Sequence, residues 1–256
     1  MIDVRELSYR AGRSELLRDI NFSVRPGEML AVIGANGAGK STLLKLLSSE
    51  ISPSEGAIYI KQRPLQEYKV IELARMRSVL AQQNTISMSF TVYELVLMGR
   101  YPHFENKPGI KDIEIVRHVL DETGITHLVS REYNTLSGGE QQRVQLARVI
   151  AQIADVPQGL LFLDEPTNGL DLLYQQQILS IARGMSDRGY CVVCILHDIN
   201  FASRYADKVL ILKNGKTIAF GAPKEVINHD NILNAFNVKV EMMNYTGLNW
   251  PVAVPL

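Results

Sequence analysis

Several features are scarce in this sequence. Its 256 residues include two cysteines and one tryptophan, and aromatic residues make up only 7%. Lys and Arg together number 27, as do Asp and Glu, so the formal net charge is zero. A protein that works on nucleic acid usually has a basic excess, so this balance disfavours a nucleic-acid partner. No stretch approaches the roughly 18 apolar residues that a membrane-spanning helix needs.

The N-terminus also lacks the features of an export signal. The opening residues, MIDVRELSYR, include acidic side chains and no apolar core, so they do not predict a secretory signal. We therefore expect a cytoplasmic protein whose role at a membrane, if it has one, depends on a partner. Hydrophobic residues make up 46% and charged residues 21%, which is typical of a globular chain with a sizeable core.

The two cysteines, Cys191 and Cys194, lie in the stretch YCVVCILHDI. Their spacing is compatible with redox or zinc chemistry. The run is apolar and β-branched, however, which indicates a buried strand, and residues three apart on a strand face opposite sides. Zinc would also need more ligands than this pair supplies. We predict that both are thiols in the core.

The hydrophobic pattern predicts an α/β protein of one domain, residues 1–256, with a helical subdomain inserted at about 84–152. Predicted helices cover TVYELVLMGR, KDIEIVRHVLDETG, the stretch after Ser137 and, as one helix, APKEVINHDNILNAF. The tail to Leu256 is predicted to be irregular. Strands are predicted in MIDVRELSYR, LLRDINFSVRPGEMLAVIG (with a turn at Pro26-Gly27), GAIYIKQRPL, RSVLAQQ, GLLFLDEP, YCVVCILHDI and KVLILKNGKTIAFG, where Asn214-Gly215 indicates a type I′ hairpin.

The stretch GANGAGKST matches the P-loop pattern G-x-x-x-x-G-K-[ST]. An apolar strand precedes it and a helical run follows, which is the context that phosphate binding requires. Glycines let successive backbone N–H groups surround an anion, and the helix N-terminus adds partial positive charge. We predict that Lys40 contacts the β- and γ-phosphates and that Ser41 offers its hydroxyl to Mg²⁺. The predicted phosphate-binding residues are Gly34, Ala35, Asn36, Gly37, Ala38, Gly39, Lys40, Ser41 and Thr42.

A second motif supplies carboxylates. In GLLFLDEPTNGLD an apolar strand ends at Asp164, which places this side chain at the carboxyl edge of a sheet, where ligands of open α/β sheets bind. We predict that Asp164 holds Mg²⁺, directly or through water, and that the next residue, Glu165, orients or deprotonates the attacking water.

The stretch TLSGGEQQRVQLARVIAQI has two glycines at the start of an otherwise strong helix. Ser137 and Glu140 have the spacing of a capping box. A capping box does not require glycine, and each glycine costs about 1 kcal/mol in a helix interior relative to alanine. Gly138 and Gly139 therefore suggest that another group approaches this helix end closely.

Taken in order, the P-loop, LSGGE, LLFLDEP and a histidine after the next strand resemble the ATP-binding cassette ATPases over roughly residues 2–225. This resemblance implies an ABC-type P-loop NTPase fold with an N-terminal antiparallel β subdomain, a RecA-like core and an inserted helical subdomain. It also implies ATP and Mg²⁺ as cofactors.

The resemblance implies further roles for single residues. Tyr9 resembles the aromatic residue that stacks on adenine. Gln82, with Gln83 as the alternative, resembles the glutamine that contacts Mg²⁺ or water and communicates with the transport partner. His197 resembles the switch histidine at the γ-phosphate. Asp171 resembles an aspartate that crosses the dimer interface.

Two subunits of this family pack head to tail, with each ATP between the P-loop of one and the LSGGQ-like segment of the other. The resemblance places Ser137, Gly138 and Gly139 against the phosphate bound by the partner subunit, where absent side chains expose backbone N–H groups. Glu140 departs from the Gln of many members, but either residue completes a capping box.

Finer features resemble a group of importers. FTVYELVLMGRYPH resembles the iron–siderophore, haem and vitamin B12 importers, and the lengthened AQIADVPQG segment resembles their haemin-importing ATPases. The resemblance implies a homodimer, two permease subunits in the membrane and, indirectly, a periplasmic substrate-binding protein. The chain would then be peripheral, at the cytoplasmic face of the bacterial inner membrane. Alternatives are a ferric-siderophore or cobalamin importer, an exporter subunit, or a non-transport ATPase acting on nucleic acid.

Overall fold

The computed structural model describes residues 1–82, 88–243 and 245–256, and within these ranges the chain forms twelve strands and nine α-helices. The strands are β1 (Ile2–Ala11), β2 (Ser14–Val24), β3 (Met29–Gly34), β4 (Glu55–Ile60), β5 (Arg63–Pro64), β6 (Arg77–Leu80), β7 (Leu160–Asp164), β8 (Cys191–Ile195), β9 (Lys208–Lys213), β10 (Lys216–Gly221), β11 (Val240–Met243) and β12 (Val252–Pro255). The helices are α1 (Lys40–Leu47), α2 (Val70–Met76), α3 (Val92–Met98), α4 (Ile110–Glu122), α5 (Gly138–Ile153), α6 (Leu172–Asp187), α7 (Ile199–Tyr205), α8 (Pro223–Val226) and α9 (His229–Phe236).

Two large sheets organise the molecule. The first is antiparallel, in the order β2-β1-β4-β5. The second has the order β10-β9-β3-β8-β7-β6; only β9 and β10 pair antiparallel, and all its other neighbours are parallel. Parallel strands are normally covered on both faces, and β3 and β8 are buried along their whole length. The predicted α/β class and N-terminal antiparallel sheet are confirmed.

Helices α3, α4 and α5 follow one another between β6 and β7, where the sequence predicts an inserted helical region. Helix α3 starts at a capping box formed by Thr91 and Glu94, and α5 starts at one formed by Ser137 and Glu140. Their apolar faces share one core cluster with the neighbouring face of the parallel sheet. Residues 84–87 of the predicted subdomain lie outside the described residues.

Strand β8 separates two core clusters. Cys191 belongs to the cluster under the antiparallel sheet and Cys194 to the cluster under the helical region, as expected for residues three apart on a strand. Both are free and buried. Burial raises the pKa of the Cys191 thiol to about 12 and also raises the pKa of the Cys194 thiol. The prediction of two core thiols is confirmed.

Two predicted elements are each divided in the structure. GAIYIKQRPL was one predicted strand, but it forms the hairpin β4–β5, because Lys61 and Gln62 have left-handed backbones with φ of 49° and 67°. Neither is a residue type that favours this region, so the sequence gives no turn signal. The single helix predicted in APKEVINHDNILNAF is two helices, α8 and α9. Asn228 starts the second one, because its side-chain oxygen accepts the backbone N–H of Asn231.

The prediction of an irregular tail is also wrong, because β11 and β12 pair antiparallel. This hairpin is attached to α7 by Asn200, whose side chain donates to the carbonyl of Ala253 at 3.1 Å and accepts its N–H at 2.8 Å. Three helices, α2, α6 and α7, have no counterpart among the predicted elements. None of the helices in the described ranges is both long and apolar enough to span a membrane.

Candidate nucleotide-binding site

The site is built at one edge of the parallel sheet. Strands β3, β8, β7 and β6 are consecutive neighbours in the sheet and run in one direction, so their carboxyl ends lie side by side. The P-loop leaves β3, His197 follows β8, Glu165 follows β7 and Gln82 follows β6. Residues from four separate parts of the sequence therefore meet where open α/β sheets bind ligands.

The P-loop wraps around the N-terminus of α1. Gly39, at the helix cap, has φ of 103°, and a β-carbon there would lie 2.7 Å from Cδ2 of Leu17. Only glycine allows the loop to approach β2 so closely. The Lys40 side chain is buried and donates to the carbonyl oxygens of Gly34 and Ala35 at 2.8 and 3.1 Å. Burial lowers the pKa of Lys40, while the charges of Glu165 and Asp164 raise it.

Asp164 lies at the end of β7, opposite the first turn of α1. The Ser41 hydroxyl donates to Asp164 Oδ1 at 3.4 Å. Burial raises the pKa of Asp164 and the neighbouring Glu165 raises it further, while the Ser41 hydrogen bond and the charge of Lys40 lower it. Hydroxyl and carboxylate oxygens are the ligands that Mg²⁺ prefers, and Mg²⁺ commonly takes one or two carboxylates together with phosphates. Among the described residues, no group of three or more His, Cys, Asp or Glu side chains has an arrangement that could hold a metal ion. The Ser41 hydroxyl and the Asp164 carboxylate are the donor types that fit a Mg²⁺ ion carried by phosphates.

Glu165 is the centre of the carboxylate side of the site. Its Oε2 accepts the amide N–H of Gln82 at 2.7 Å, and its Oε1 lies 2.6 Å from Nε2 of His197. Its backbone is left-handed, with φ of 49°, a conformation that costs a non-glycine residue about 1–3 kcal/mol and is enriched at functional sites. Of the three residues predicted from the sequence to be catalytic, Glu165 therefore contacts both of the others. Gln83, the alternative to Gln82, lies outside the described residues.

A cavity of about 250 Å³ lies over the P-loop. Tyr9 does not line it; its half-buried ring packs against the core beneath β1. Leu16, a residue that the sequence analysis missed, does line it and is 39% exposed. Leu16 and Leu17 are adjacent in β2, and the sequence alone does not indicate which of the two faces the P-loop. The lining residues in the described chain are Leu16, Asn36, Gly37, Ala38, Gly39, Lys40, Ser41, Thr42 and Glu165.

Asn168 was also missed by the sequence analysis. Its backbone N–H donates to the Glu165 carbonyl at 3.1 Å, which closes a turn after the strained residue. Its side-chain amide lies 3.5 Å from Glu165 Oε2. The residue appears in the sequence only as part of an ordinary turn-like run, TNG, so no local signal distinguishes it.

The segment Ser137–Gly139 lies apart from this cavity. Ser137 donates its N–H and its hydroxyl to Glu140 Oε2, each at 2.8 Å, and its Oγ accepts the N–H of Glu140 at 3.4 Å, so the predicted capping box is confirmed. None of its residues is among those that line the cavity in the described chain. Asp171 caps α6 by accepting the N–H of Tyr174 at 3.1 Å.

The two segments with finer resemblances contact each other. Arg100, from the GRYPH run, is 1% exposed and donates to Asp112 Oδ1 at 2.9 Å and to Asp155 Oδ1 at 2.7 Å. Asp155 belongs to the lengthened AQIADVPQG segment and also pairs with Lys111 at 2.7 Å. His103 Nε2 lies 2.7 Å from the Gln152 carbonyl. The insertion is therefore anchored to the GRYPH run through a buried charge.

Comparison with known proteins identifies the family. The sequence profile described as ABC transporter matches residues 17–168, more than half of the chain. The chain belongs to the ABC transporter family. As an ABC ATPase it binds and hydrolyses ATP, which agrees with the P-loop and carboxylates at the sheet edge. The predicted fold is confirmed.

Sequence alignments with individual relatives extend over the full length of this ABC ATPase. It is 43% identical to the hemin import ATP-binding protein HmuV of Gloeobacter violaceus over 259 aligned positions, which cover 100% of this chain and 94% of the relative. It is 42% identical to the protein of the same name from Bradyrhizobium diazoefficiens, with the same coverage.

Solved structures give the same result. A chain of a transporter described as metal-chelate type, in an inward-facing conformation, superposes with a TM-score of 0.85 at 30% identity, covering 100% of this chain and 96% of the other. A dimeric ATP-binding cassette in a post-hydrolysis state, bound to ADP and Pi, superposes with a TM-score of 0.74 at 26% identity, covering 87% and 98%.

Proposed function

We propose that this ABC ATPase is the ATP-hydrolysing subunit of a bacterial importer and that the imported substrate is haemin. The observation that carries the proposal is full-length identity of 42–43% to proteins named hemin import ATP-binding protein. The contact between the GRYPH run and the lengthened segment supports it, because the two sequence features with this resemblance are joined through the buried Arg100. The whole chain, residues 1–256, is proposed to be a single nucleotide-binding domain.

Each site residue has a proposed role in this reaction. Lys40 holds the β- and γ-phosphates, and the backbone N–H groups of the P-loop surround them. Ser41, Asp164 and the Gln82 side chain would hold Mg²⁺, which would supply positive charge to offset the negative charge that develops on the phosphates. Tyr9 is proposed to stack on adenine. It is the cross-strand partner of Leu17, the β2 residue that lies against Gly39 of the P-loop.

Glu165 is proposed to position the attacking water and to accept its proton. Gln82 and His197 contact different carboxylate oxygens of Glu165 and so restrict its rotation. His197 is 46% exposed, so it can also reach a γ-phosphate on the open side of the site. Phosphoryl transfer needs mainly positioning and charge stabilisation, which this arrangement supplies.

We infer that the active form is a head-to-tail homodimer. Ser137 and Gly138 are exposed at the N-terminus of α5, which favours negative charge. Asp171, which is predicted to cross the dimer interface, is followed by Leu172 and Leu173, and each of these two leucines is 62% exposed. In the closed dimer each γ-phosphate would touch both copies, so hydrolysis and phosphate release would remove the contact that joins them.

The remaining partners follow from the importer class. Two permease subunits in the membrane would receive the movement of the dimer, and a periplasmic binding protein would deliver the substrate. The ATPase would then lie at the cytoplasmic face of the inner membrane as a peripheral subunit. Haemin itself would contact the permease and the binding protein, not this chain.

Reconstitution tests the proposal. The chain would be co-purified with the permease encoded beside it, placed in proteoliposomes and assayed for ATP-dependent uptake of haemin, a ferric siderophore and cobalamin. The Glu165→Gln variant is the control for uptake that does not need hydrolysis. We expect haemin uptake with the original chain and none with the control.

Each other result would separate the alternatives. Uptake of only siderophore or cobalamin would leave the importer class intact and refute haemin as the substrate. Failure to associate with any permease, together with ATPase activity stimulated by nucleic acid, would instead support a non-transport ATPase.

A further inference from the structure

The two glycines at the start of α5 have different surroundings. A β-carbon on Gly138 would meet no atom within 4 Å, so this position faces open space. A β-carbon on Gly139 would lie 3.0 Å from Cδ2 and 3.3 Å from Cε2 of Tyr174. The second glycine therefore lets α5 lie against an aromatic ring from its own chain.

The Tyr174 ring also contacts Arg143, which lies one turn further along α5. The guanidinium carbon of Arg143 lies 4.8 Å from the ring centroid, a distance at which the ring attracts a cation. Nε of Arg143 is buried and has no hydrogen-bond partner among the described residues. Tyr174 belongs to the first turn of α6, where its N–H donates to Asp171. The ring thus joins the start of α6 to the start of α5.

A second link joins α5 to the loop after Glu165. The Gln142 amide donates to the carbonyl of Pro166, the residue that follows Glu165, at 3.2 Å. The loop between Pro166 and Asp171 is itself held by Gln175, whose amide donates to the carbonyls of Thr167 and Leu170 at 3.3 and 3.0 Å. The chain segment that carries Glu165 is therefore attached to α5 at both of its ends: by Gln142 at Pro166, and by Tyr174 at the start of α6.

We propose that Tyr174 is a positioning residue that couples the two nucleotide sites of the dimer. The proposal rests on the head-to-tail arrangement proposed above. In that arrangement Glu165 acts on the ATP of its own copy, whereas the start of α5 contacts the ATP of the partner copy. Tyr174 sets the position of Ser137 and Gly138 relative to the Glu165 loop, so a change at one site shifts the donors that the other site uses.

Nucleotide dependence of ATPase activity tests this role. We compare Tyr174→Ala with Tyr174→Phe, which keeps the ring, in the purified full-length chain. Tyr174→Ala is expected to raise the ATP concentration at half-maximal activity about tenfold and to lower the Hill coefficient towards one, a typical size for coupling between sites. Tyr174→Phe is expected to stay within about twofold of the original chain. Nucleotide affinity of the dilute monomer is expected to be unchanged in both.

Further variants separate the outcomes. Tyr174→Leu keeps apolar bulk and is expected to show the same rise, so the test does not depend on one variant remaining folded. A half-saturating concentration that stays within twofold in Tyr174→Ala, or an equal loss of monomer affinity, would overturn the coupling role. ATP-dependent dimerisation is then measured in Glu165→Gln with and without Tyr174→Ala. Equal dimerisation refutes only the role of Tyr174, whereas no dimer in Glu165→Gln alone refutes the proposed head-to-tail site and this proposal with it.

Discussion

The P-loop edge and the start of α5 are both predicted to bind the same phosphate, yet they are built differently. At the P-loop edge, charged groups from several strands converge and partly bury one another, with Lys40 facing Asp164 and Glu165. At the start of α5 the polar groups are exposed and are satisfied by a capping box within the same helix. The first region is preorganised by tertiary contacts, whereas the second is organised locally.

This difference is consistent with the proposed head-to-tail dimer, in which the two regions act together on one phosphate. The P-loop edge carries the lysine, the carboxylates and the histidine within one chain, but its cavity remains open on one side. The start of α5 offers backbone donors and the Ser137 hydroxyl, which stabilise charge, and its Glu140 carboxylate is engaged in the capping box. We infer that one region supplies the chemistry and the other supplies the signal that a second copy has closed.

The largest effect is expected from Glu165→Gln. Loss of the carboxylate removes the proposed proton acceptor but keeps an amide of similar shape, so ATP binding remains while the hydrolysis rate falls by roughly 10²–10⁴-fold. Steady-state phosphate release and size-exclusion chromatography with ATP measure both effects, with an ATP-bound dimer expected. Glu225→Gln, the same change at a distant helix cap, serves as the control. ATPase activity near that of the original chain would contradict the role of Glu165.

Ser137→Arg tests the other region and is expected to lower hydrolysis by about 10²-fold, because it removes a donor and places a bulky side chain at the proposed interface. Nucleotide binding to the monomer is expected to be unchanged, as measured by titration at low protein concentration. Thr91→Arg removes the equivalent residue of the α3 capping box and controls for the loss of a helix cap. If the monomer affinity of Ser137→Arg fell as much as its activity, the placement across the dimer would be wrong.

Arg100→Ala is expected to weaken the helical region that carries α5. The change leaves Asp112 and Asp155 without their buried partner and also removes a 2.8 Å hydrogen bond to the Ala151 carbonyl near the end of α5. Breaking a buried ion pair from one side costs about 3–5 kcal/mol, which denaturant unfolding would detect. Arg18→Ala, which breaks only an exposed pair with Glu15, should cost less than about 1 kcal/mol. Equal losses in the two variants would show that burial of Arg100 does not matter.

A smaller, pH-dependent effect is expected from Asp155. Burial raises its pKa, but Arg100 and Lys111 lower the pKa more strongly, so it lies well below the ordinary value of an aspartate. A carboxyl with a lowered folded-state pKa stabilises the protein above its unfolded pKa of about 4, and this contribution is lost as the pH falls through the folded-state value. Asp155→Asn should therefore reduce the free energy of unfolding by about 1.5–3 kcal/mol at pH 7 and flatten its decline below about pH 4. Parallel stability curves for the two proteins in acid would contradict this assignment.

Much of the fold was predictable because its signals are local. The P-loop strand and helix, the strand that ends at Asp164 and the α5 capping box all occupy short stretches whose residues interact with near neighbours. The Asn214-Gly215 hairpin is another such case, since both residues have a left-handed backbone, with φ of 48° and 73°. The errors occur where a local signal is missing. The β4–β5 turn uses Lys61 and Gln62, which are not typical turn residues, and the tail hairpin depends on contacts with α7.

The candidate site was only partly predictable. Glu165 was named from its place after the strand-end Asp164, and Gln82 and His197 through a family resemblance, but the contacts of Gln82 and His197 with Glu165 depend on the order of strands in the sheet. Leu16 and Asn168 were not named, because an exposed leucine and a turn asparagine have no distinguishing local pattern. The two glycines of α5 look alike in the sequence, and only the position of Tyr174 shows that they have different surroundings.

The sequence by itself indicated the chemical groups of this protein: a phosphate-binding loop, a pair of carboxylates at a strand end and a capped helix that starts with two glycines. Each of these motifs is specified by residues that are close to one another in the sequence. Tertiary structure alone decided which of these groups touch. Gln82 and Glu165 are 83 residues apart, and Arg100 and Asp155 are 55 apart. Separations of that size carry no distance information until the strands pair and the helices pack, because a flexible chain between two such residues can place them almost anywhere.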